Sequence, residues 1–131
     1  AWNYVKVPGL NILPGLFVPH FDKIESNGQR RNISAKKLLR HNAGETMTAI
    51  DNWSALRIEG DTYTFIAREG KSGSCNVPCG FVLKVNPITG EVEQTQIPKS
   101  GMVSDIIMAA RYTTESLMLP VLRAMNPDPN L

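Results

Sequence analysis

Residues 10–20 read LNILPGLFVPH: two apolar runs, Leu10 to Leu13 and Leu16 to Val18, are split by Pro14-Gly15 and ended by Pro19 and His20. Runs without polar alternation do not suit a strand with one wet face. They suit strands covered on both faces, as in a parallel sheet. Met47 to Asp51, in TMTAID, is a second strand of this kind, and it also ends in an ionisable residue. A chain built on such strands needs helices on both faces of its sheet.

The rest of the chain supplies part of that cover. Tyr4 to Val7 is a short strand candidate. ISAKKLLRHN has helical spacing, with Ile33, Lys37 and Arg40 on one side and Ala35, Leu38 and Leu39 on another. Asn42 and Gly44 stop it. SALRIEGDTYTFIAREG is a hairpin turning at Glu59-Gly60-Asp61, and GFVLKVNPITGEVEQTQIP is a second, turning at NPITGE. The last third reads as helical, with Ser104 as N-cap, a break at Pro120 and a frayed tail over 126–131. No internal repeat or low-complexity tract occurs. The pattern predicts half of an α/β sheet, with the hairpins as an antiparallel edge or a small flanking sheet, residues 1–131 forming one partial domain. A complete doubly wound domain needs more βαβ units than these.

Composition narrows the partners. The net charge is +2, too small and too scattered for a nucleic-acid or membrane surface, so neither is expected. No stretch approaches a membrane span of about 20 apolar residues or a signal peptide. The two cysteines, Cys75 and Cys79, stand as a lone C-x-x-x-C without the second ligand pair a zinc site needs. They are expected to be free thiols in a reducing, cytoplasmic setting. No metal and no cofactor is expected.

His20 carries the candidate chemistry. In open α/β sheets, ligands bind beyond the carboxyl ends of strands, and a histidine there can act as a general base near neutral pH. The alternative is a strand-end histidine bonded to a backbone carbonyl. A catalytic histidine needs an acceptor on one ring nitrogen, and Asp22 or Glu25 could serve. Gln29, Arg30 and Arg31 form one loop able to bind a carboxylate or hold the loop in place. Asp51 would share the edge with His20 if the two strands run parallel; otherwise it caps the turn into the hairpin. His41 reads as a helix C-terminal cap. A nucleophile is missing: no G-x-S-x-G elbow occurs, and Ser72, Ser74 and Cys75 lie in a Gly-rich loop without an oxyanion hole.

GLNILPGLFVPHFD, then GQRR and a helix, then AIDNWSALRIEGDTYTFIA, resembles the dipeptidase E and cyanophycinase family of serine peptidases over most of residues 8–70. GFVLKVNPITGEV is similar to that family's late strand pair. The resemblance implies the C-terminal half of a class I glutamine amidotransferase-like three-layer sandwich. It gives His20 the general-base role. Asp22 makes an H-x-D arrangement similar to the H-x-E of the amidotransferases. Dipeptidase E resemblance would place a Glu in the loop after the histidine, where this chain has Gln29. GQRR is closer to the cyanophycinase side, where Gln and Arg near the histidine help hold the substrate.

The implied function is hydrolysis of small aspartyl peptides, α- or β-linked, or related amide bonds. The implied partner is an N-terminal segment bearing the serine, either a separate chain or a further part of this one; a homodimer is also open. Two other readings compete: a catalytically silent member acting as a binding or structural module, and an unrelated small α+β binding domain.

Overall fold

The computed structural model describes residues 13–42, 44–71 and 77–112, with Gly9, Gly73, Cys75 and Met125. The strand expected at Tyr4 to Val7, most of Leu10 to Leu13, Pro120 and the tail 126–131 lie outside the described residues. Chain order is β1 (Leu16–Val18), α1 (Arg31–Arg40), β2 (Thr46–Ile50), β3 (Ser54–Glu59), β4 (Thr62–Ala67), β5 (Gly80–Val85), β6 (Val92–Ile97), β7 (Ser100–Met102) and α2 (Val103–Ala109).

The strands form a four-stranded sheet, β1-β2-β5-β6, and a three-stranded sheet, β3-β4-β7. β1 and β2 run parallel, with Val18 opposite Ala49. The other pairings among the described residues are antiparallel, including both expected hairpins. Asn86 builds the second hairpin's turn: its Oδ1 accepts the Ile88 and Thr89 N–H groups at 2.8 and 3.2 Å, an Asx-type bond that satisfies the turn backbone.

Side-chain alternation sends the residues of β2 and β5 into two different cores. Met47, Ala49, Phe81 and Leu83 face one core, shared with Ala35 and Leu39 of α1, Phe21 and the two cysteines. Ile50 and Val82 face another, with Tyr63, Phe65, Ile97 and Ile106. The central sheet therefore has a helix on one face, and a second sheet with α2 on the other. The chain is mixed α/β, but one cover is β-structure where helices were expected on both faces.

Three further expectations need correction. β1 is not buried on both faces: Leu16 and Val18 pack on the first core, while Phe17 is 49% exposed on the opposite side. Ser104 is not the N-cap of α2. The helix begins at Val103, and the Asp105 carboxylate accepts the Met102 N–H at 3.1 Å. Cys75 and Cys79 are joined in a disulfide, their Cα atoms 6.2 Å apart. Both cysteines lie in the first core. The pair therefore lends no support to a reducing compartment. The described helices include none long and apolar enough to cross a membrane.

Gly80 of the first sheet lies against Phe65 of the second. A Cβ there would collide with the ring of the fully buried Phe65. Gly80→Ala is expected to destabilise the fold by about 1–3 kcal/mol through overpacking, read as a lower urea midpoint with an unchanged slope.

Tyr63 ties the second sheet to the β6–β7 turn. Its hydroxyl donates to the Pro98 carbonyl at 3.0 Å. Burial, and then the nearby Asp105 carboxylate, raise its pKa above the ordinary 10.0. A raised folded-state value favours the folded chain fully below about pH 10, and that contribution disappears as pH rises through the folded value. Tyr63→Phe should cost about 1 kcal/mol at pH 7 and flatten the stability loss above pH 10, measured by denaturant titration across that range.

Candidate functional site

The parallel register brings the carboxyl ends of β1 and β2 side by side. Just beyond it, the Phe21 N–H donates to the Ile50 carbonyl at 2.8 Å, and the Lys23 N–H to the His20 carbonyl at 3.0 Å. Phe21 is buried against Phe81, ring centroids 5.6 Å apart. Anchoring Phe21 inward turns the preceding residue outward. His20 takes φ +56°, a left-handed conformation uncommon for a residue with a Cβ. His20 is exposed at the sheet edge.

Asp51 shares that edge, as the parallel arrangement requires. It is almost fully buried (2% exposed). Gly73 of the Gly-rich loop lies directly on it: a Cβ at Gly73, whose φ is +68°, would fall 2.5 Å from Asp51 Oδ2. Gly73 thus closes over the end of β2. Ser72 and Ser74 lie outside the described residues.

The partner of the His20 ring is neither acid weighed for it. His20 Nδ1 is 2.5 Å from Asn52 Oδ1. Asp22 instead accepts the Asn52 backbone N–H at 2.6 Å, and Glu25 pairs with Arg31 Nε. Sequence reasoning passed over Asn52 because it is 32 residues from His20. The usable signal was the parallel pairing itself, which sets the residue after Asp51 beside the residues after Pro19. Trp53 follows with φ +66°. The turn is held by the Arg68 N–H on the Trp53 carbonyl at 2.9 Å, with the Arg68 guanidinium 5.1 Å from the indole ring.

The GQRR loop divides its labour. Arg31 supports the loop: besides Glu25, its Nη1 donates to the Pro19 carbonyl at 3.1 Å, immediately before His20. Gln29 Oε1 accepts the Ser34 hydroxyl at 3.0 Å, across the first turn of α1. Arg30 occupies the N-cap position of α1 with an exposed side chain. His41 closes the other end, its Nδ1 on the Lys37 carbonyl at 2.8 Å. Among the described residues no cluster of His, Cys, Asp and Glu has the grouping a metal ion needs.

The two arginines should separate in stability. Arg31→Ala removes a charged partner of the buried Glu25 and should cost about 1.5–3 kcal/mol. Arg30→Ala, at an exposed position, should stay within about 0.5 kcal/mol. Urea unfolding of both variants makes the comparison.

Comparison with known proteins adds three findings. Residues 2–66 match the family described as Peptidase family S51. A curated relative, the "G2/mitotic-specific cyclin-1" of Trypanosoma brucei brucei, is 29% identical over 110 residues, covering 81% of this chain. The aligned stretch is 32% of that relative, so the chain spans about a third of its length. No solved structure matches significantly.

Proposed function

We propose, from the match of residues 2–66 to peptidase family S51, which bears out the resemblance to dipeptidase E and cyanophycinase, that the chain is the histidine-bearing part of a serine peptidase acting on small aspartyl peptides or related amides. The observation that carries the reading is His20. It is turned out at the carboxyl ends of two parallel strands, with Nδ1 engaged by Asn52 and Nε2 free of hydrogen bonds among the described residues. Nε2 is then the atom that accepts a proton.

In the proposed reaction a serine hydroxyl passes its proton to His20 Nε2 as its oxygen attacks the scissile carbonyl carbon. The C–N bond breaks, and the same proton leaves on the departing amine. Water then repeats the sequence in reverse to release the acid. Arg30, exposed at the start of α1, is the proposed partner of a substrate carboxylate, while Arg31 holds the loop. Asp22 acts on His20 through Asn52. Asp51 shapes the floor under the Gly-rich loop.

The serine is proposed to come from a segment outside these residues. Two features support this. β1 has no strand on its outer edge among the described residues, and Phe17 leaves an apolar face open there. A segment pairing with β1 would extend the parallel part of the sheet toward an amidotransferase-like sandwich and cover Phe17.

A silent binding module is the second reading. Its support is the Trypanosoma brucei brucei relative, which is named as a cyclin rather than a peptidase. The test is the full-length polypeptide against α- and β-aspartyl dipeptides and neutral controls. His20→Ala should lower kcat/KM by about 10²–10⁴-fold without lowering Tm. Arg30→Glu should raise KM for aspartyl substrates far more than for neutral ones. A folded full-length protein that hydrolyses none of these substrates overturns the peptidase reading in favour of the silent module.

A further inference from the structure

We propose that Asn52 is the positioning residue for His20, a neutral amide in the place where a catalytic histidine ordinarily has a carboxylate; this rests on the reading of His20 as the base. The first support is chemical. A carboxamide oxygen is only an acceptor, so a 2.5 Å contact between Asn52 Oδ1 and His20 Nδ1 requires the proton on Nδ1. Neutral His20 then presents a lone pair at Nε2, the tautomer that a proton acceptor needs.

The second support is that Asn52 is itself fixed from both sides. Its backbone N–H is held by Asp22 at 2.6 Å. Asp51 before it is buried beneath Gly73, and Trp53 after it sits in the left-handed region with its carbonyl bonded by Arg68. A half-buried asparagine between two such residues has little freedom to swing away. His20 is constrained likewise by its own left-handed backbone and the buried Phe21. Two unusual backbone conformations, at His20 and Trp53, thus flank a single side-chain hydrogen bond. Strain of this kind, costing about 1–3 kcal/mol per residue, persists where the surroundings enforce it and gathers at functional sites.

The third support is what the nearby charges do instead. Asp22 is spent on the Asn52 amide, Glu25 on Arg31, and Asp51 lies under the loop. Arg31 reaches the Pro19 carbonyl, Arg68 lies over Trp53, and Lys23 meets His20 through its backbone N–H. The ring's hydrogen bond among the described residues is to the amide. Asn52 therefore orients the imidazole without adding a negative charge to stabilise its cation.

The test uses full-length protein labelled with ¹⁵N-histidine, His20 being assigned by its loss in His20→Gln. Long-range ¹H–¹⁵N spectra should show neutral His20 protonated on Nδ1. Asn52→Ala should move that proton to Nε2 while leaving the His41 pattern and Tm unchanged. Asn52→Asp, nearly isosteric, should keep the Nδ1 proton and raise the His20 titration midpoint by about one unit or more relative to the parent. It should also move the acid limb of any pH–rate profile upward by the same amount. An Nε2-protonated parent, or a tautomer indifferent to Asn52→Ala, overturns the proposal. If the tautomer behaves as expected but no aspartyl substrate is cleaved, the peptidase reading fails alone.

Discussion

The pairing of β1 with β2 is the constraint on which the site depends. Three residue pairs in parallel register, followed by the Phe21–Ile50 hydrogen bond, set two strand ends next to each other. Everything chemically notable at that edge follows from it: His20 turns out because Phe21 turns in, and Asn52 meets His20 because it is the second residue beyond the partner strand. In such a sheet the side chains beyond the last paired residues are released from the ladder but still held by its geometry. A one-residue slip between β1 and β2 would bury the wrong faces and separate His20 from Asn52.

The two covering layers differ in character, and this bears on the site. The helix side joins α1 to the loops that carry the functional residues, since Phe21, Cys75 and Cys79 all lie in the same core as Ala35 and Leu39. The second-sheet side is a hairpin platform with Tyr63 and Phe65 at its centre. The first core therefore couples the GQRR loop, the His20 turn and the Gly-rich loop, while the second mainly stiffens the sheet from behind.

Much of this was legible in the residues, for identifiable reasons. The two hairpins showed because alternation and turn residues are local signals. α1 showed through Ala35 and Leu39, which are buried as the spacing predicts, and β2 through Met47, Ala49 and Ile50, which are buried on its two faces. β7 did not show, because Ser100, Gly101 and Met102 have no strand character of their own and become a strand only by pairing with Thr62–Thr64. The disulfide was missed because a C-x-x-x-C spacing does not reveal whether the loop closes. His20, Asp22, Gln29, Arg30, Arg31 and Asp51 were all named from sequence, and the structure brings them to one end of the sheet or to the loop behind it. Which of them touches which was not legible. Those contacts are set by side-chain reach across separate elements, and the nearest acid in sequence, Asp22, reaches a backbone amide rather than the ring.

The bond between His20 and Asn52 closes a loop of 32 residues that contains α1 and all of β2. Bringing such distant positions together carries an entropic cost that no local interaction near His20 offsets. The arrangement therefore depends on the tertiary pairing of β1 with β2 rather than on the residues next to His20. A peptide spanning residues 16–31 would hold the histidine, both nearby acids and both arginines, yet it would lack the order that makes them a site.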